Sequence, residues 1–130
     1  MKRILDFLKE AQTYYLATVD GDQPRVRPFG TVNLFDGKLC IQTGRSKDVA
    51  KQILANPKVE LCAMRGNEWI RVAGVLKEDP RVEAKRDMLD HYPSLRSMYS
   101  EDDPNTLVLF FESGKATISG FGREPETIEF

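Results

Sequence analysis

Histidine and tryptophan each occur once and cysteine twice in these 130 residues, and each scarcity removes a class of chemistry. One histidine, His91, cannot supply the several nitrogen and sulfur ligands that hold zinc, so no metal site is expected. Cys40 and Cys62 lack a partner at C-x-x-C spacing, which leads us to expect two buried free thiols rather than a disulfide or a redox motif. No long uncharged apolar run is present, and Met1 to Asp6 places an acid in the first apolar turn, unlike a signal peptide or a membrane span. The expected location is the cytoplasm, with no membrane partner. No block of lysine and arginine stands out either. Nineteen basic residues against twenty acidic ones leave a net charge of −1, which gives nucleic acid no electrostatic support. Ser-His-Asp, Cys-His and paired-carboxylate arrangements are missing, as are the G-x-x-x-x-G-K-[S/T] and G-x-G-x-x-G loops of nucleotide binding.

What is present reads as one domain, residues 1–130, with a mainly β fold. Ile4, Leu5, Phe7, Leu8 and Ala11 mark an opening amphipathic helix, and Tyr14 to Val19 has strand composition. Asp20-Gly21-Asp22, Asp36-Gly37 and Gly66-Asn67 read as hairpin turns. A strand from about Pro24 to Phe35 carries Pro28 and Gly30, which weaken a ladder and mark an edge, a bulge or close approach by a ligand. Further strands are expected near Val59 to Met64 and Trp69 to Leu76. Val82, Met88 and Leu89 suggest a helix that Pro93 interrupts, and Leu95, Met98 and Tyr99 a short second one. Two final strands complete an antiparallel β-barrel of six to seven strands with peripheral helices. Leu107 to Phe111 is apolar on both faces, so its outer face needs a cover; in a short chain, a second copy is the expected one.

The junction from Lys38 to Ala63 carries the strongest chemistry. Leu39, Ile41 and Thr43 alternate with Lys38, Cys40 and Gln42 as a strand does, and Val49, Ala50, Ile53 and Leu54 recur at helical spacing up to Asn56-Pro57. Between them lies Thr43-Gly44-Arg45-Ser46-Lys47-Asp48, with Ser46 at the expected N-cap. A helix start offers unpaired N–H groups and positive dipole, and Thr43, Arg45, Ser46 and Lys47 add two hydroxyls and two cations. A phosphate monoester suits that donor set. A plain cap with solvated cations accounts for the same residues.

Across the Asp36-Gly37 turn, Arg25-Val26-Arg27-Pro28-Phe29-Gly30 is expected to pair beside the cradle strand. Arg27 would then add a cation, and the backbone of Pro28 to Gly30 could meet a planar polar ring edge; outward charges on an edge strand account for Arg25 and Arg27 equally well. Trp69, the sole tryptophan, sits at a strand start, where it walls an aromatic ligand or fills the barrel end.

In this order, Arg27-Pro28-Phe29, Gln42-Thr43, Ser46-Lys47, Asn56-Pro57-Lys58-Val59 and Trp69-Ile70-Arg71-Val72-Ala73-Gly74 resemble the pyridoxamine 5'-phosphate oxidase-like FMN-binding split-barrel family, in its general stress protein 26-like and nitroimidazole-reductase-like branch. The resemblance runs from the first helix to Gly120. It implies FMN as cofactor, with Arg27, Thr43, Ser46 and Lys47 on the phosphate and ribityl chain, Gln42 beside Thr43 at the strand end, and Pro28, Phe29 and Gly30 near the flavin ring. Trp69 matches a position that reaches the cofactor. It further implies a homodimer with two flavin sites at the interface.

The chain lacks the arginine-x-histidine pair that authentic pyridoxamine-phosphate oxidases place near their end, which speaks against vitamin B6 oxidation. The resulting expectation is an FMN-dependent oxidoreductase acting on a small aromatic or quinone-like substrate, with reduced nicotinamide or another carrier as donor. No catalytic side chain is assigned, because in a flavoprotein the cofactor carries the chemistry. The alternatives are a flavin-binding electron carrier or stress-related protein that turns nothing over, and a barrel that binds single-stranded nucleic acid through Phe29, Phe35 and Trp69. A deazaflavin or heme in the same barrel also remains open.

Overall fold

Ile4, Phe7 and Leu8 fall on one side of helix α1 (Lys2–Ala11) and are fully buried, so the helix packs down on the sheet through the stripe its sequence shows. In the computed structural model, which describes residues 1–130, the strands are β1 (Tyr14–Asp20), β2 (Gln23–Phe29), β3 (Asn33–Phe35) and β4 (Lys38–Gly44), then β5 (Lys58–Arg65), β6 (Glu68–Glu78), β7 (Thr106–Gly120) and β8 (Glu126–Glu129). Helix α2 (Asp48–Ala55) follows β4, and helix α3 (Val82–His91) and a 3₁₀ turn (Pro93–Ser97) separate β6 from β7. Every strand pair is antiparallel, in the order β2-β1-β5-β6-β7-β4-β3, with β8 on β7. This mainly β, split-barrel-like fold is the one expected.

The hairpin turns are where the sequence puts them: Gly21, Asp36, Gly37 and Gly66 all adopt positive φ, the conformation that Asp-Gly and Gly-Asn pairs supply at little steric cost. Other expectations change. Eight strands form rather than six or seven, because the stretch from Pro24 to Phe35 breaks at Gly30 into β2 and β3 and because the tail adds β8. The two final strands are one, β7.

Strand β2 also pairs with β1, Arg27 opposite Leu16, and not with the cradle strand. The hairpin partner of β4 is β3 alone. Arg27 and Thr43 therefore approach from opposite ends of the strand path, across the split in the barrel, and not along a ladder.

Leu107, Leu109 and Phe111 point into the main core with Ile41, Ile70 and Val72. Val108 packs outward with Cys40, Ala84 and Met88, flanked by Phe35, Tyr92 and Phe110. The cover over the outer face of β7 is thus helix α3 of the same chain, and no partner is needed there. Each large apolar side chain buried in this way contributes about 1.5–3 kcal/mol toward docking the helix. Cys40 lies buried under that helix, whereas Cys62 is exposed, contrary to expectation; both are free.

Candidate functional site

Where the ends of the strand path meet, Arg27, Pro28, Phe29, Gly30 and Thr31 face Gln42, Thr43 and Lys47 across a cleft of about 260 Å³. Val49 of α2 and Leu95, Met98 and Tyr99 from the 3₁₀ region complete its walls. Of the nine residues expected from sequence, seven converge here. Ser46 and Trp69 do not.

Ser46 lines a separate shallow recess with Arg45, Pro104 and Asn105. It is not the N-cap of α2, a place that Lys47 takes in extended conformation without any side-chain cap bond. Asn105 explains the difference: its carbonyl accepts the Arg45 N–H at 2.7 Å and its Oδ1 accepts the Ser46 N–H at 2.9 Å, which fixes the loop one residue ahead of the helix. Arg45 is also spoken for, since it pairs with Glu78 at 2.5 Å and donates to Pro104 O at 3.1 Å. Trp69 stacks edge-on against Phe121 with ring centroids 5.6 Å apart, at the β5–β6 turn, away from this cleft.

The start of α2 has no side-chain cap; the Ala50 N–H turns back to Lys47 O at 3.1 Å, and the positive end of the helix dipole faces out with Asp48 in the first turn. Lys47 stands exposed at that point on the cleft wall. Arg27 reaches the same region from β2. Its Nη1 donates to Thr18 Oγ1 at 2.7 Å and to Leu16 O at 3.2 Å, and its Nη2 to Gln52 Oε1 at 2.6 Å. Burial, then the neighbouring Arg25, lower the guanidinium pKa from its ordinary value, against the pull of Asp48. On the far side of Arg27 an open groove of about 980 Å³ runs between the β1–β2 hairpin and α2. Its charged walls, including Asp20, Asp48 and Lys51, make it the wetter of the two.

Gln42 is 5% exposed, and its Oε1 is a buried side-chain oxygen without a hydrogen-bond partner. Buried polar groups are paired in the great majority of cases, so an orphan acceptor beside a cleft points to a donor that a ligand brings. Gly44 shapes the neighbouring wall. A Cβ there would stand 3.0 Å from Tyr99 Oη and 3.2 Å from Asn105 Nδ2, so a side chain at this position would push Tyr99 and Asn105 back from the end of β4. Thr31, Leu95, Met98 and Tyr99 were not assigned to the site from sequence. Their apolar spacing was visible, but nothing in it links the 3₁₀ region to β2.

FMN fits this donor set. Lys47, Arg27 and the start of α2 offer positive charge and N–H groups to a phosphate, and Gln42 Oε1 can accept from a hydroxyl or ring N–H.

The model of the pyridoxamine 5'-phosphate oxidase family matches residues 1–113. No curated protein matches the chain. Among solved structures, a NimC/NimA family protein from Clostridium acetobutylicum is 48% identical over 100% of this chain and 92% of its own, with a TM-score of 0.97. General stress protein 26 from Bacillus anthracis str. Sterne is 21% identical, over 99% of this chain and 98% of its own, with a TM-score of 0.78. A heme-binding protein from Mycobacterium smegmatis shares the fold at 15% identity, over 94% of this chain and 57% of its own, with a TM-score of 0.72. With the split barrel formed and this match over most of its length, the chain belongs to the pyridoxamine 5'-phosphate oxidase family.

Proposed function

We propose that the chain is an FMN-binding flavoprotein and an oxidoreductase, which takes electrons from reduced nicotinamide and passes them to a small aromatic or quinone-like substrate. One observation carries the proposal. Of ten arginines, nine pair with a carboxylate, and Arg27 alone is held by neutral oxygens. An arginine that no carboxylate pairs directly, with Asp48 acting on it only at longer range, and that shares a cleft with Lys47 suits an incoming anion. Family membership supports the same reading, since its members commonly bind flavin and include oxidoreductases.

Bound FMN would supply the electron transfer. The chain's own part is to hold it: Arg27 and Lys47 neutralise the phosphate, Thr43 and Gln42 take the polar middle, and Pro28 to Gly30 present backbone to the ring. Leu95 and Met98 give that wall its apolar surface.

A homodimer belongs to this reading. At about 260 Å³ the cleft falls below the roughly 300–1,000 Å³ usual for small-molecule sites, so something further must cover a flavin. The outward face of β1, β2 and β5 is available, because Tyr15 sits opposite Pro28 and Cys62, Ala17 opposite Val26, and Met64 opposite Trp69. Tyr15, Val26 and Met64 are 53%, 67% and 56% exposed, an apolar sheet face of the kind a second copy buries. Free thiols suit a reducing compartment, the cytoplasm; no helix is long and apolar enough to cross a membrane.

An absorption spectrum of the purified protein tests the cofactor, and flavin bands are expected. Anaerobic stopped-flow then tests the activity: nicotinamide should reduce the flavin and a quinone or nitroaromatic should reoxidise it. Heme bands, or a flavin that no physiological donor reduces, would overturn the respective part. A second reading, an electron carrier without turnover, draws support from a cleft lined by neither carboxylate nor histidine. Efficient small-molecule turnover would eliminate it.

A further inference from the structure

Arg27 stands between the cleft and the open groove. Its guanidinium is held by Gln52, which projects from the second turn of α2 and lines the groove, and by Thr18 on β1. The hydroxyl of Thr18 donates to Gln52 Oε1 at 2.6 Å while accepting from Arg27 Nη1 at 2.7 Å, and Arg27 Nη2 closes the triangle on the same Gln52 oxygen at 2.6 Å. Thr18 is 2% exposed, so the triangle is built into the barrel wall and not formed at a loose surface. Two donors converge on one oxygen of Gln52. That fixes the amide orientation, because its nitrogen in the same place would face two donors with a third.

The geometry points to Gln52 as the residue that makes this an anion site for phosphate, by gripping Arg27 with a neutral oxygen where a carboxylate would cancel its charge. This rests on the reading of the cleft as an FMN phosphate site. A glutamate has the same length and an oxygen in the same place, and elsewhere in this chain carboxylates hold the other nine arginines. At position 52 it would give Arg27 a permanent counter-ion at close range and would set a negative charge against the incoming dianion. Gln52 is thus a positioning residue, acting through Arg27, and it sets the preference for a charged head group over an uncharged one.

The test compares FMN and riboflavin affinity, by flavin fluorescence titration of the apoprotein, in native protein, Gln52→Glu, Gln52→Met and Arg27→Gln, together with the apoprotein's thermal midpoint. Gln52→Glu should keep or raise the midpoint, lose tenfold or more in FMN affinity, and leave riboflavin within about twofold. Gln52→Met, which frees Arg27 without opposing it, should lose less FMN affinity than Gln52→Glu. If Arg27→Gln weakens FMN and Gln52→Glu does not, the role given to Gln52 is wrong while the phosphate site stands. Equal losses for FMN and riboflavin in Gln52→Glu would make Gln52 a packing residue and overturn the inference in the same way. If Arg27→Gln binds FMN as the native protein does, or if the native protein takes up neither flavin, the phosphate site itself fails.

Discussion

The hydroxyl of Thr31 stands in for a missing stretch of strand beside Gln42: its Oγ1 accepts the Gln42 N–H at 3.0 Å and donates to the Gln42 carbonyl at 3.2 Å. The β3–β4 ladder ends at Asn33 opposite Cys40, and Thr31 lies two places further along that register, opposite Gln42. From there the backbone leaves β4, and the cleft opens. The departing segment is pinned by side chains where no ladder holds it, for Tyr14 Oη donates to Thr31 O at 2.6 Å, and Tyr92 Oη accepts from Val32 N at 3.1 Å and donates to Val32 O at 3.0 Å. The wall that bears Pro28 to Gly30 is therefore fixed before any ligand arrives.

Replacing Thr31 by valine keeps the shape and removes both bonds to Gln42. Each buried backbone group left unpaired costs about 1–3 kcal/mol, so Thr31→Val should be destabilised by at least that amount in urea unfolding and should bind FMN more weakly. Thr31→Ser, which keeps the hydroxyl, should remain near native. A valine variant as stable as the native protein would show that the two bonds do not hold the split.

Local chemistry made much of this legible in advance. The Asp-Gly and Gly-Asn turns, the opening helix, the strand before Ser46 and the helix after it depend on neighbours in sequence, and they form as read. What stayed hidden depends on distant pairing. The Asp20-Gly21-Asp22 turn announces the β1–β2 hairpin, but nothing local says that β3 alone pairs with β4, and nothing in the alternation of Leu107 to Phe111 says that Ala84 and Met88, some twenty residues earlier, cover Val108. The site shows the same division. Arg27, Thr43 and Lys47 stood out by residue type, whereas Gln52 and Thr18 join Arg27 only once α2 and β1 are packed together. Ser46 misled because Asn105, 59 residues away in sequence, takes its backbone N–H in the loop, which leaves the N-cap position to Lys47 without a side-chain cap.

The approach to α3 carries an acid-sensitive link. Asp79 Oδ1 accepts the Arg81 N–H at 3.1 Å, and its carboxylate takes the Arg81 guanidinium at 2.8 and 3.0 Å. The side-chain hydrogen bonds from Arg81 hold the Asp79 pKa below its ordinary value, against the opposing effect of burial. A carboxyl lowered in the folded state stabilises fully above its unfolded value, near 3.9, and that contribution is lost as pH falls through the folded pKa. Asp79→Asn should therefore be less stable than the native protein at pH 7, and the gap should narrow as pH drops below about 4. Urea unfolding across that range measures it; a gap constant with pH would remove the ion pair as the cause.

At the cleft, Lys47 and Ser46 should now behave differently. Lys47→Ala removes a charge-assisted bond to phosphate worth about 1.5–3 kcal/mol, roughly ten- to a hundredfold in FMN affinity, and should leave riboflavin binding unchanged. Ser46→Ala should alter neither, because Ser46 lines the recess with Pro104 and Asn105 and is engaged through its backbone N–H. A strong FMN-specific loss in Ser46→Ala would mean that the loop turns toward the ligand when it binds.

The assembly prediction turns on which side of the sheet a charge is placed. Leu109 is fully buried in the main core, so Leu109→Asp should abolish folding without reporting on association, and Phe110 packs beside α3, where a charge would loosen the helix first. Val26 on β2 is 67% exposed and stands opposite Ala17 on the face that Tyr15 and Met64 share. Aspartate there costs the isolated fold little, because the side chain already meets water, but in a dimer it would bury a carboxylate against apolar neighbours, a heavy penalty without a partner. Val26→Asp should thus sediment as a folded monomer where the native protein sediments as a dimer, with an unchanged circular dichroism spectrum. If the flavin needs both chains, the same variant should lose FMN together with its partner. A folded Val26→Asp dimer would move the interface to another face, and a monomer retaining one FMN per chain would show that the single cleft suffices.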